Sequence, residues 1–194
     1  MVFQPGMRVL EVGCQEANWL ALASEAWPDC MFTGIDTRED HRPGGTRLRL
    51  NAIDPNIFPP ESFDAVVSLS AIEHVGLGHY GDPVDPDGDS KAVANIWRWL
   101  KPGGWFYFDV PYDPTKYYLL GKHQTEARVY DDLAILDRLR WSSVLVPDGS
   151  RTLSVWLPDP YYRFSDSVTP GMLIEKPTEP AKRYYYVAMV WRKA

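Results

Sequence analysis

Apolar and polar positions in this chain change period repeatedly, from short compact runs to stripes spaced three and four residues apart. Residues 8–12 read RVLEV and end at Gly13, the pattern of a short buried strand and a turn. Trp19, Leu20, Ala23 and Trp27 then share much of one face of a helix over residues 18–27, which Pro28 and Asp29 break. A second strand over 31–35, MFTGI, ends at Asp36. The third, RLRL at 47–50, follows after a gap too short for a full helical crossover, so a single helical turn or an irregular link must join them. FDAVVSL at 63–69 is a compact β-branched and aromatic run, as in a strand buried on both faces.

A polar, glycine-rich loop over 73–89 separates that strand from a helix at 90–100, striped by Val93, Ile96, Trp97 and Leu100. Gly103 and Gly104 permit a sharp turn into WFYFDV at 105–110, a fifth strand. Leu133, Ile135, Leu136 and Leu139 predict a helix over 130–139, and residues 141–146 and 184–191 carry two further strand patterns. The chain between those two is proline-rich, so an insertion or cap at about 147–181 is expected within a single domain spanning 1–194. Alternating strands and helices without an internal repeat make a three-layer α/β domain, whose chemistry gathers at the C-terminal strand ends.

A chain of 194 residues is long enough to bury a core without staples. Its net charge of -6 is uneven, with 7 Lys/Arg against 15 Asp/Glu in residues 1–100 and 13 against 11 in the rest. Neither part has the basic field of a nucleic-acid binder. The opening residues lack the charged and apolar regions of a signal peptide, no apolar run is long enough to span a bilayer, and Cys14 and Cys30 make no disulfide scaffold. A reduced, cytoplasmic protein with no membrane span is therefore expected.

The turn at Gly13 offers backbone N–H groups, and Asp36, 23 residues later, stands where a carboxylate accepts hydrogen bonds from a ribose diol. Together they point to an adenosine-containing cofactor. The absence of a G-x-G-x-x-G turn weighs against a dinucleotide oxidoreductase, and the absence of G-x-S-x-G against a serine hydrolase. Cys14 reads as a small half-buried side chain rather than a nucleophile.

VLEVGC at 9–14, GID at 34–36, SFDAVVSLSAIEHV at 62–75 and LKPGG at 100–104 together resemble the class I S-adenosylmethionine-dependent methyltransferase superfamily. Within it, the long HVGLGHYGDPVDPDGD stretch resembles an uncharacterised methyltransferase-related group. The resemblance implies a Rossmann-like sandwich built on a seven-stranded, mostly parallel sheet ordered 3-2-1-4-5-7-6, with strand seven antiparallel and reduced helical decoration. It implies S-adenosyl-L-methionine as cofactor, with Glu11 and Gly13 in the cofactor loop, Asp36 at the ribose and Asn51 and Ala52 near adenine. The chain departs from the superfamily pattern at Gln15 and Ala17, where glycines are usual and a side chain could crowd the methionine portion, and at Asn51, where aspartate is commoner.

The 74–89 loop concentrates polar chemistry at the predicted active edge. His74, His79 and Asp82 are candidate catalytic residues, because a methyl acceptor's hydroxyl needs alignment and a base for its proton. Tyr80, Asp85 and Tyr112 are candidate acceptor contacts. Asp85, Asp87 and Asp89 partly imitate a calcium loop, but the later glutamate is absent and no metal is assigned. The expected activity is methyl transfer to a small polar molecule, with carbohydrate derivatives as one acceptor class and oligomer formation left open. The alternative is a noncatalytic domain of the same fold that binds a ligand or a protein.

Overall fold

The computed structural model describes residues 3–113, 115–120, 127–139, 152–156 and 185–193. Its elements run β1 (Arg8–Val12), α1 (Trp19–Ala26), β2 (Met31–Asp36), β3 (Thr46–Arg49), β4 (Phe63–Ser68), a 3-10 turn at Ile72–His74, α2 (Gly88–Trp99) and β5 (Leu100–Tyr112). β6 (Tyr118–Leu120), β7 (Ala127–Val129), α3 (Asp132–Arg138), β8 (Thr152–Trp156) and β9 (Tyr185–Arg192) follow. Seven strands form one sheet in the order β3-β2-β1-β4-β5-β9-β8. β1 to β5 pair in parallel, while β9 runs antiparallel to both β5 and β8. With β8 and β9 as strands six and seven, this is the order the resemblance implies.

The central strands are apolar on both sides because successive residues point to opposite faces. Leu10, Val66, Phe106 and Phe108 join one core with Ile96 and Trp99 of α2, and Val9, Val67 and Phe32 join a second with Leu20 and Ala23 of α1. Ridges of aromatic rings reinforce both, Phe106 stacking on Phe108 at 4.4 Å and Phe3 meeting Trp27 edge-on at 5.2 Å.

Three local expectations change. Gly103 and Gly104 do not end one element and open another. They form a bulge inside β5, where Phe63 pairs with Leu100 but Ala65 already pairs with Trp105. Gly103 takes φ +76°, and its N–H donates to the Lys193 carbonyl at 2.8 Å, tying the bulge to the end of β9. The hairpin of β6 and β7 lies outside the main sheet and was not legible in the apolar pattern. β8 stands inside the segment expected to be a cap; the remainder of 147–181 and the strand expected at 141–146 lie outside the described residues. Residues 37–45 form an irregular link without a helix, one of the two outcomes the short gap allows.

Candidate cofactor and acceptor cleft

A cleft of about 550 Å³, counting its open mouth, lies at the C-terminal ends of β1, β2 and β4, where strand termini leave groups free for chemistry. Gly13 lines it at φ +82°, and a Cβ at that position would fall 2.3 Å from the Ala71 side chain, so only glycine fits. The N–H groups of the turn are taken up within the chain. Gly13 and Cys14 donate to the Ile35 carbonyl at 2.8 and 3.2 Å, and Gln15 donates to Asp36 Oδ2 at 3.2 Å. The turn is thus an extension of the β1–β2 pairing, with these three donors, expected to be open to a cofactor, bonded to the end of β2.

The residues that replace glycine do not crowd the cleft. Gln15 reaches away to donate from Nε2 to the Glu39 carbonyl at 3.1 Å, and neither it nor Ala17 is among the lining residues. Arg42 of the 37–45 link and Arg47 of β3 clamp the same turn, both donating to the Cys14 carbonyl and both to Asp40. Those guanidiniums, Arg42 first, hold the Asp40 carboxyl far below the usual carboxylate range.

Glu11 is placed outside the cleft. It is fully buried, and burial pushes its carboxyl up to about 8 despite the opposing charges of Arg47 and Arg42. Period-two alternation explains this position: Leu10 and Val12 face the α2 side, so Glu11 faces the α1 side.

Asp36 does line the cleft, with its carboxylate fully engaged. Oδ1 accepts from Arg38 N and Nε, both at 3.0 Å, and Oδ2 accepts from Gln15 N and from Arg38 Nη2 at 3.3 Å. Arg38 also donates to Glu16 Oε1 at 2.5 Å and lies 3.9 Å above the centre of the Tyr80 ring. Asn51 and Ala52 line the neighbouring part of the cleft. Asn51 Oδ1 accepts from Ile53 N, and Asn95 of α2 donates to the carbonyls of Ala52 and Ile53, both at 2.9 Å, which fixes this turn.

His74, Tyr80 and Asp82 complete the lining. His74 and Tyr80 meet edge-on at 5.5 Å, and Asp82 Oδ2 accepts from Gly76 N at 2.6 Å. Behind them two carboxyls are buried together. Burial, then the neighbouring charge of Asp109, raises Glu73; burial raises Asp109 to about 6, although its Oδ1 accepts from Ser70 N at 2.6 Å. Sequence reasoning passed over both, and the available signal was an acid standing inside the apolar runs SAIEHV and FYFDV.

Three further expected residues stand outside the lining. His79 is exposed and packs its ring on Tyr80 at 4.5 Å. Asp85 is a turn and helix anchor: Oδ1 accepts from Asp87 N and Oδ2 from Lys91 Nζ. Tyr112 sits at the far end of β5, packed against the larger core. Asp89 is wholly buried at the start of α2, where Tyr130 OH and Arg138 donate to it. Arg128, equally buried, donates to the Val75 carbonyl at 2.6 Å and more weakly to those of Glu73, Asp85 and Pro86. Among the described residues no three His, Cys, Asp or Glu side chains converge as metal ligands, and no helix is long and apolar enough to cross a membrane.

The sheet order and the position of the cleft define the fold as that of class I S-adenosylmethionine-dependent methyltransferases. Comparison with known proteins agrees with that fold: the curated relatives it matches are methyltransferases, and the solved structures of similar fold include S-adenosylmethionine-dependent methyltransferases. The profile of the family described as "Caenorhabditis protein of unknown function, DUF268" matches residues 57–131, from before β4 to just after β7. The methyltransferase str3 of Strobilurus tenacellus is 27% identical over 106 residues, covering 53% of this chain and 34% of that protein. The malonyl-[acyl-carrier protein] O-methyltransferase of a Paenibacillus species is 24% identical over 168 residues, covering 75% of this chain and 56% of that protein. The chain thus spans between about a third and somewhat over half of these curated relatives. In structure, 98% of it superposes on 72% of the Burkholderia thailandensis 1,6-didemethyltoxoflavin-N1-methyltransferase, solved with 1,6-didemethyltoxoflavin and S-adenosylhomocysteine, with a TM-score of 0.63 at 17% identity.

Proposed function

We propose that this chain is an S-adenosylmethionine-dependent methyltransferase acting on a small polar acceptor, with carbohydrate derivatives one class to screen. The observation that carries the reading is that one cleft joins Asp36, Asn51 and Ala52 to His74, Tyr80 and Asp82. The first set suits a nucleoside: a carboxylate for ribose hydroxyls and an amide turn for a base. The second suits an acceptor: a proton-accepting imidazole flanked by a phenol and a carboxylate.

The fit to the cofactor is good in residue type and position, with Gly13 leaving the floor clear and Gln15 turned away. It is obstructed at Asp36, whose acceptor positions Arg38 and Gln15 fill. When bound, the cofactor supplies an electrophilic methyl group on a sulfonium. In this reading Asp36 holds the ribose once the Arg38 side chain gives way, and the 51–53 turn braced by Asn95 holds the base. His74 takes the proton from the acceptor's nucleophilic atom, and Tyr80 and Asp82 orient the acceptor. Rate enhancement then comes chiefly from alignment and from a preorganised polar wall.

Titration calorimetry of the folded protein with S-adenosylmethionine, S-adenosylhomocysteine and NAD tests this. Micromolar binding of the two adenosyl-sulfur ligands but not NAD is expected, weakened about tenfold or more by Asp36→Ala, the scale of losing charge-assisted hydrogen bonds. Binding of NAD alone would overturn the cofactor; binding of none would favour a noncatalytic domain.

A further inference from the structure

Asp36 is the residue best suited to a ribose, yet its carboxylate has no acceptor position left. A carboxylate offers about four lone-pair directions, and four N–H groups use them: the backbone of Gln15 and Arg38, and Nε and Nη2 of the Arg38 side chain. The two backbone donors are fixed by the turn and by the end of β2. The two side-chain donors are the ones that can leave. Arg38 is the one Lys or Arg among the cleft's lining residues, and its remaining contacts tie together parts of the chain that are distant in sequence. Nη1 donates to Glu16 on the β1 side, and the guanidinium plane lies on Tyr80 of the loop that follows β4. Thr37 Oγ1 adds a second tie by donating to the Tyr80 carbonyl at 3.3 Å.

Resting on the cofactor reading above, we infer that Arg38 is a specificity-determining residue of the nucleoside subsite: its side chain is a built-in occupant of Asp36 that an adenosyl ligand must displace, and its stacking on Tyr80 couples that displacement to the acceptor loop. Geometry favours displacement over permanent closure. The Arg38 side chain is 24% exposed and Glu16 70% exposed, so the guanidinium keeps an exposed carboxylate and an aromatic platform when it leaves Asp36. The adenosyl ligand then competes with an intramolecular cation, and apparent affinity falls in proportion to the fraction of molecules with Asp36 free; a latch closed about nine times in ten weakens binding about tenfold. Tyr80 stands between the nucleoside residues and His74, so the loop senses whether the nucleoside half is filled.

The sign of the effect separates this role from that of an ordinary ligand contact. S-adenosylhomocysteine and adenosine are titrated into the full chain and into Arg38→Ala, Arg38→Lys and Tyr80→Leu, with hydrogen exchange followed at residues 76–82. Arg38→Ala is expected to bind both ligands about three- to tenfold more tightly than the wild type, with Arg38→Lys intermediate because an ammonium cannot form the two-pronged contact. S-adenosylhomocysteine is expected to change exchange at 76–82 in the wild type and not in Tyr80→Leu. The 15Nε signal assigned to Arg38, by its absence from the Arg38→Lys spectrum, is expected to shift on ligand addition, which keeps the test decisive should Arg38→Ala fold poorly. Equal or weaker binding by Arg38→Ala and Arg38→Lys, or a 15Nε signal unmoved while the wild type binds, would overturn the latch and leave the cofactor reading standing. Failure of every folded variant to bind either ligand would overturn both.

Discussion

Glu11 stands two positions before Gly13 in the loop motif, yet the alternation of β1 turns it away from the cleft and into the core around α1 and the Arg42–Arg47 clamp. Burial raises its carboxyl from 4.5 to about 8, so the folded state holds a proton there that the unfolded state releases above about pH 4.5. A folded-state pKa raised in this way contributes stability below the unfolded value and loses it as pH rises toward 8. From Glu11 alone, about 2 kcal/mol is expected to disappear between pH 5 and pH 7, taking 1.36 kcal/mol per unit as an order-of-magnitude conversion. Glu11→Gln removes the titration, so urea unfolding at several pH values is expected to give a flatter profile and a variant more stable than wild type at pH 7. Parallel profiles for the two proteins would show that Glu11 ionises freely in the fold. The sequence made Glu11 and Gly13 visible as a pair; which way the acid points follows from strand parity and from the cationic clamp that only folding brings to it.

At the scale of elements, the loop between β4 and α2 is built by residues far from it. Asp89 receives Tyr130 and Arg138, and Arg128 holds the carbonyls on either side of the loop, so β7 and α3 fasten a segment that precedes them by some forty residues. Read from the sequence, Asp82 is a catalytic candidate, Asp85 an acceptor contact, and Asp85, Asp87 and Asp89 a partial calcium-loop pattern, because spacing does not say which of them meets a cation. Folding separates them: Asp82 lines the cleft, Asp85 anchors Lys91, and Asp89 is sealed among an arginine pair and a tyrosine. Asp89→Ala strands those partners in a dry site and is expected to cost about 3–5 kcal/mol, the scale for breaking a buried ion pair. Asp85→Ala, which loses a turn contact and a solvent-facing ion pair, is expected to cost much less than Asp89→Ala. Denaturant midpoints of the two variants compare them directly, and similar midpoints would remove the anchoring role of Asp89.

For the whole molecule, the cleft exists because the ends of β1, β2 and β4 and the turn at 72–74 arrive side by side. His74 enters it and exposed His79 does not, although both lay in the same predicted loop. Once an acceptor is found by screening with isotope-labelled S-adenosylmethionine, His74→Ala is expected to reduce methyl transfer about tenfold or more while S-adenosylhomocysteine affinity stays within a few-fold. His79→Ala is expected to transfer at the wild-type rate. Equal rates for both variants would remove the proton-accepting role of His74.

The sheet was legible in the sequence because buried parallel strands are written as local apolar runs, and because Gly13 and Asp36 mark strand ends by their own chemistry. The short link at 37–45 likewise announced that no complete crossover helix could stand there. The β6–β7 hairpin, the bulge at Gly103, the donors taken up by the β1–β2 turn and the occupation of Asp36 by Arg38 were decided by tertiary structure. Each is a contact between groups distant in sequence, or a choice of which hydrogen-bond partner wins when several are near, and local pattern carries no information on either. The sequence determined the frame of the α/β fold and the position of its cleft; packing across the sheet decided which acids face the cleft, which are buried behind it, and which one is already held by a cation.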